Sequence, residues 1–358
     1  MKPACLPSRW TAPLAAIALA GLASIAALAA GQPGSIEEVR PYLRTVRDPS
    51  GVVALEVALR RLEPVRGRGP NLWLAAVTHL GTSNYYAQLQ QFLDAQPLVL
   101  YEAVRHDTDA PPGPREGYSL QADLARVLGL TFQLDAIRYD RPHFKNSDLS
   151  FDDLARRFAV HTNLTGAASP DTSGAAPPAG AVEFGALAQA LSGEGLFGGL
   201  ARLGVSVLAA SPRLQAATKV ALIEMLGQLP NDLTQIEGLP PGLARLMRVL
   251  VEERNEAVVR DARAVLARRP PPAAVAVFYG AGHMADLEYR LCRGLGYQPA
   301  EDRWLTAFAV DPRAEGVSQF ELDFTSRLVR AQLRGLQRRP PDHSTNAPVA
   351  PTPAVPAP

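Results

Sequence analysis

Residues 72–101, "LWLAAVTHLGTSNYYAQLQQFLDAQPLVLY", restrict the fold more than any other part of the chain. Leu72–Val77 is an unbroken apolar run, as expected of a strand buried on both faces. Ser83 or Asn84 is then placed to cap a helix, and Tyr85, Leu89 and Phe92 recur at helical spacing with Tyr86 and Leu93 beside them. Pro97 follows that helix, and Leu98–Tyr101 is a second apolar run. Strand, helix and strand within about 30 residues make a βαβ unit, whose two strands run parallel.

The same order returns late in the chain. Ala274–Tyr279 reads as a strand, and Met284–Arg293 as a helix with Leu287 and Leu291 on one face. Gly294 and Gly296 end that helix, and "WLTAFAV", 304–310, is a further strand. Between these two regions, residues 182–268 read almost entirely as helix. The run "TGAASPDTSGAAPPAG", 165–180, is a flexible insertion ahead of that block. The expected architecture is α/β, with a mostly parallel central sheet flanked by helices and a helical insertion in the middle of one domain, 31–338.

The two ends lie apart from this domain. "MKPACLPSRW" carries Lys2 and Arg9, and residues 11–31 then carry no charge. That is a basic segment followed by an apolar one, and Ala27-Leu28-Ala29 offers a small-x-small cleavage site. Residues 1–30 are therefore expected to be a signal peptide or an N-terminal anchor, the apolar run being close to the ~20 residues that span a bilayer. Either form places the rest of the chain outside the cytoplasm, periplasmic or secreted. Residues 339–358, rich in Pro and Ala, have too little apolar content to pack and are expected to be a disordered tail. With Cys5 ahead of the apolar run, cleavage would leave Cys292 alone, in a leucine-rich helical pattern that marks it as packing. The formal net charge of +1 gives no basis for a nucleic-acid surface.

Several motifs carry no chemistry. "GEGLFG", 193–198, matches a dinucleotide-binding glycine pattern but follows a helix rather than a strand. No nucleophile-elbow, H-E-x-x-H or C-x-x-C pattern occurs. What remains is positional. His79 follows the first strand of the βαβ unit, Glu102 follows the second, and His283 follows the late strand. Open parallel sheets bind ligands outside the carboxyl ends of their strands, so one edge would hold all three. Two imidazoles and a carboxylate suit a divalent transition metal such as zinc, manganese or cobalt. Arg254 shares a helix face with Leu250 and Val258, and an arginine on an apolar stripe calls for a carboxylate or an oxyanion. Asp148 sits in a loop just before Ser150 and Asp153, which together form a capping box.

Four stretches, in order, carry a resemblance: "VTHLGTSNYYAQLQQFLDAQPLVLYEAV", "QLDAIRYDRPHFKNSDLS", "EERNEAVV" and "FYGAGHMADLEYRLCRGLGY". With them the chain resembles the TraB/GumN/PrgY group and its animal relatives, the Tiki proteases, in the superfamily that also holds erythromycin esterases and ChaN-like proteins. Gly280 and His283 match the second G-x-x-H element of that family. Ala76 stands where the first element has glycine before its histidine, His79. Glu102 matches the family glutamate, and Asp148, Arg254 and Asn255 match the "DLS" and "ERN" positions. The resemblance implies a metal-dependent hydrolase acting on a peptide or polypeptide. His79, Glu102 and His283 would then hold manganese, cobalt or zinc, with Glu102 as an alternative general base. Arg254 would stabilise an oxyanion and Asp148 would support the site. A peptide- or haem-binding module without turnover, and a metal-free esterase with His79 as base, are the competing expectations.

Overall fold

The apolar runs become the middle of one seven-stranded sheet in the computed structural model, which describes residues 34–66, 69–104, 120–163, 205–231, 233–235 and 241–336. The expected leader 1–30, the insertion 165–180, the first part of the helical block and the tail 339–358 lie outside the described residues.

Strands β1 (Leu43–Arg47), β2 (Val53–Pro64), β3 (Asn71–Val77), β5 (Val99–Tyr101), β7 (Phe144–Asn146), β8 (Ala274–Gly280) and β9 (Tyr297–Val310) form this sheet. The order is β1-β2-β3-β8-β5-β7, with β9 also paired to β2. A separate antiparallel pair joins β4 (Leu80–Gly81) to β6 (Thr131–Phe132). The architecture is α/β, with a mostly parallel central sheet flanked by helices. The βαβ unit is present, but β3 and β5 are not neighbours. β8, nearly two hundred residues further along, lies between them and runs parallel to both.

Burial explains why β3 reads as a continuous apolar run. Leu72–Val77 is enclosed along its whole length, with β2 on one edge and β8 on the other. Ala76 is fully buried within the regular pairing to Tyr279, so its methyl belongs to the core and stays out of the site at the strand end.

The antiparallel half is less legible in sequence. β1 and β2 form a hairpin around Asp48, whose carboxylate accepts from Ser50 Oγ and the Val52 amide, while Gly51 takes a left-handed φ of 97°. The polar/apolar alternation of β2 is broken by Arg60, which is completely buried against Glu288, Asp302 and the ring of Tyr42. β9 extends well ahead of residues 304–310, starting at Tyr297 and pairing with β2 along its length.

The helices are α1 (Ser83–Asp94), α2 (Leu120–Val127), α3 (Gln133–Ala136), α4 (Phe151–Asn163), α5 (Pro212–Leu226), α6 (Pro241–Arg248), α7 (Arg254–Leu266), α8 (Met284–Leu295) and α9 (Gln319–Leu336). The cap of α1 is Thr82 rather than the expected Ser83 or Asn84, and its side chain accepts from the Tyr85 amide. α8 ends as the glycines predict, with Gly296 at a φ of 72°. Leu287 and Leu291 of α8 are buried in the main core, each contributing roughly 2 kcal/mol by leaving water. Cys292 packs beside them as a free thiol, and burial pushes its pKa up to about 12, which leaves it unreactive. A smaller cluster of Leu149, Leu154, Phe158, Leu246, Val249 and Ala257 joins α4 to α6 and α7.

One departure matters for the site. The helix through Arg254 is not continuous α-helix: Val249–Glu253 forms a π turn between α6 and α7. Wider turns of this kind re-aim the side chains that follow them. No helix among the described residues is long and apolar enough to cross a membrane.

Candidate active site

β3, β8 and β5 are adjacent and parallel, so their carboxyl ends deliver His79, His283 and Glu102 to one edge. Glu102 is fixed by the strand next to it. Its amide donates to Phe278 O at 3.0 Å, and its Oε2 accepts from the Gly280 amide at 2.6 Å. A Cβ on Gly280 would lie 3.3 Å from that carboxylate oxygen, which is why this position favours glycine. The other carboxylate oxygen, Oε1, accepts from Arg254 Nη2 at 2.6 Å.

Arg254, placed by the π turn, also grips Asp148. Its Nε lies 2.9 Å from Oδ1 and its Nη2 2.7 Å from Oδ2, a two-pronged bond that a planar guanidinium is built to make. Asp148 also accepts from the Leu149 amide, and its side chain is fully enclosed. This aspartate is thus an anchor for the guanidinium rather than a solvated loop acid. The capping box two residues on forms as expected, with Ser150 Oγ accepting from the Asp153 amide and Asp153 Oδ2 from the Ser150 amide.

These charges set the local proton affinities. Burial alone would raise the Glu102 pKa, but Arg254, then His283, then the Gly280 amide outweigh it and hold the carboxyl at about 2. Such a carboxylate is a weak proton acceptor, so Glu102 is poorly suited to be the general base. Burial lowers the Arg254 pKa, yet Glu102 and Asp148 more than restore it, and the guanidinium stays charged. For His283, burial lowers the pKa; Glu102 opposes this, Arg254 reinforces it, and the ring is neutral at pH 7.

The tautomer of His283 follows from its neighbours. Asn255 Nδ2 donates to His283 O at 3.1 Å and to Asp286 Oδ2 at 2.8 Å, so its Oδ1 faces the ring. Oδ1 lies 2.8 Å from His283 Nδ1, which must therefore carry the proton. Nε2 keeps its lone pair and faces Arg254 Nη1 at 3.4 Å. The edge of the ring also meets Tyr279, at 5.4 Å between centroids.

His79 is exposed, yet it is held in a parallel way. Gln133 at the start of α3 donates its amide to His79 O at 2.9 Å, and its Oε1 lies 3.1 Å from His79 Nδ1. Gln133 Nε2 is 2.9 Å from Tyr139 Oη, which turns the amide oxygen toward the imidazole. Nδ1 of His79 then donates, and Nε2 is left as an acceptor. Just before it, Tyr86 Oη donates to Thr78 O and Thr78 Oγ1 donates to Leu80 O, so the strand end is pinned.

One pocket of about 590 Å³ takes in His79, Glu102, Arg254 and His283 together. The site residues expected from sequence therefore gather at one place, with Asp148 behind Arg254. Gln133, Asp286 and Tyr279 were not singled out beforehand. His143 lies apart from this site, with its Nε2 3.3 Å from Leu93 O and its ring against Phe144.

A divalent metal fits this arrangement poorly. Both oxygens of Glu102 are engaged, and the lone pair of His283 faces a fixed cation. At ~4 Å that guanidinium alone would repel a doubly charged ion by about 8 kcal/mol at an effective dielectric of ~20, an effect that the Glu102 and Asp148 carboxylates beside it offset. Among the described residues no group of three His, Cys, Asp or Glu side chains is set to hold a metal ion.

No family model matches the chain, and neither does any curated protein or solved structure.

Proposed function

We propose that the chain is an exported hydrolase of ester or amide bonds in which His79 is the general base and no step depends on a metal. The observation that carries this reading is a pair of imidazoles with Nε2 free of its proton, opening on one pocket beside a fixed guanidinium. The TraB- and Tiki-like order of residues is in keeping with a hydrolase, and the charge-free run behind Lys2 and Arg9 with export.

Among the described residues the pocket lining has no serine or cysteine, and Thr78 donates its hydroxyl to Leu80 O. Water is therefore the nucleophile. His79 Nε2 takes one proton as the water oxygen attacks the carbonyl carbon, and Gln133 holds the resulting imidazolium through Nδ1. Negative charge then develops on the carbonyl oxygen. Arg254 Nη1 makes only the two longest contacts of the guanidinium, 3.4 Å to Leu250 O and 3.4 Å to His283 Nε2, so its N–H groups are the least committed and would donate to that oxyanion. His79 returns its proton to the leaving oxygen or nitrogen as the bond breaks. Glu102 and Asp148 keep the guanidinium in place and take no proton.

The test is hydrolysis of a panel of aryl esters and of short peptides by protein treated with a chelator. Turnover that survives chelation and is lost in His79→Ala supports the reading. Strong ligand binding without any turnover would instead favour a binding module.

A further inference from the structure

The two halves of the pocket differ sharply in chemistry. The sheet edge and Arg254, at the start of α7, supply the charged and imidazole groups, whereas the described lining residues from α5 to the π turn are all apolar. Leu222, Met225, Leu226 and Leu229 come from α5 and the turn after it, and Met247 and Leu250 from α6 and the π turn. All six remain partly exposed, and Met225 is 39% exposed. Side chains of this kind normally finish inside a core, and a concave group of them calls for an apolar occupant.

We infer that this wall binds an unbranched aliphatic acyl chain, so that the substrate is a neutral acyl ester or amide with its carbonyl at His79 and Arg254. The assignment rests on the hydrolase reading above and gives it a substrate class. Three features of the pocket select the occupant. It opens directly onto the polar edge, so the ligand carries its polar group at one end. Among the described residues the wall carries no charged or hydrogen-bonding side chain, so the other end is uncharged. Most of the wall is also helical, and α5, α6 and the π turn bond their backbone groups internally. An extended peptide laid against these helices would leave its own amides unpaired, whereas a hydrocarbon chain has none to pair. Two methionines in the wall suit a flexible chain that must be followed rather than a rigid ring. A volume of about 590 Å³ lies inside the range usual for such ligands.

The experiment uses the full chain with p-nitrophenyl acetate, butyrate, octanoate and dodecanoate. kcat/KM is expected to rise at least tenfold from acetate to octanoate. Leu229→Asp and, on a more exposed position, Met225→Glu should flatten that rise and leave acetate turnover unchanged, with melting curves confirming that both fold. A flat series in the unaltered protein, or variants that slow acetate and octanoate equally, would overturn the assignment. Preference for peptides with Leu or Phe side chains over the acyl series would also overturn it. If no ester is turned over, binding of dodecanamide by calorimetry separates the two claims. Binding that Leu229→Asp abolishes keeps the acyl site and removes the hydrolase; absence of binding removes the acyl site as well.

Discussion

Arg254 Nη2 lies 2.6 Å from Glu102 Oε1, and the same nitrogen lies 2.7 Å from Asp148 Oδ2. One guanidinium thus ties the carboxyl end of β5 to the loop before α4. Its removal would strand two largely buried carboxylates. Arg254→Met is therefore expected to lower stability by about 3–5 kcal/mol, beyond any loss of turnover. Arg254→Lys should recover part of the stability but not the two-pronged bond to Asp148. Denaturant unfolding of the three proteins checks this; equal midpoints would show that the pairing stabilises nothing.

His79 should behave in the opposite way. It is exposed and, among the described residues, its side chain bonds to Gln133 alone, so His79→Ala should change stability by about 1 kcal/mol or less. A general base contributes roughly 10²–10⁴-fold, and kcat should fall by that much. Gln133→Ala should give a smaller drop, because it frees the ring without removing it. Parallel losses of stability and activity in His79→Ala would mark the residue as structural.

The tautomer of His283 is open to direct observation. Nitrogen-15 shifts should show Nδ1 protonated and Nε2 bare, with no imidazolium near pH 7. Asn255→Asp would place a carboxylate against Nδ1 and should raise the pKa of the ring. An Nε2-protonated ring in the unaltered protein would contradict the hydrogen-bond assignment.

The response to acid has a defined sign. Glu102 is held at about 2 when folded against an ordinary 4.5, so its stabilisation is complete above pH ~4.5 and disappears as pH falls toward ~2. That group contributes at most about 3 kcal/mol over this window. His283 acts with the same sign at higher pH: its folded pKa lies below the ordinary 6.5, so stability starts to fall once pH drops below ~6.5. Glu102→Gln should flatten the lower part of the stability curve. A curve that keeps its full slope in that variant would assign the loss to other carboxylates.

The strand-end residues could be read from sequence because their placement needs only a short apolar run followed by His or Glu. His79, Glu102 and His283 met that condition, and the parallel pairing of β3, β8 and β5 brought them together. Arg254 was visible as an arginine on an apolar face, but not the π turn that aims it, which no residue pattern announced. Gln133, Asp286 and Tyr279 were hidden for another reason. Gln133 and Asp286 act by touching residues far along the chain and Tyr279 by meeting a ring one helical turn away, and an amide, carboxylate or hydroxyl looks like any other polar group until the approach is known. The β1–β2 hairpin was equally obscure, since Arg60 points inward and breaks the alternation that identifies a strand. Residues 1–30, 165–180 and 339–358 fall outside the described residues, so the expectations about them stand as they were.

The most direct measurement is hydrolysis of p-nitrophenyl acetate by the unaltered protein and by His79→Ala after exhaustive chelation, with and without added imidazole. The expected result is unchanged turnover in the chelated protein, a loss of at least about 100-fold in His79→Ala, and partial recovery of that variant with imidazole. Turnover that disappears on chelation and returns with zinc, manganese or cobalt, or His79→Ala that works as well as the unaltered protein, would contradict a metal-free site built on His79.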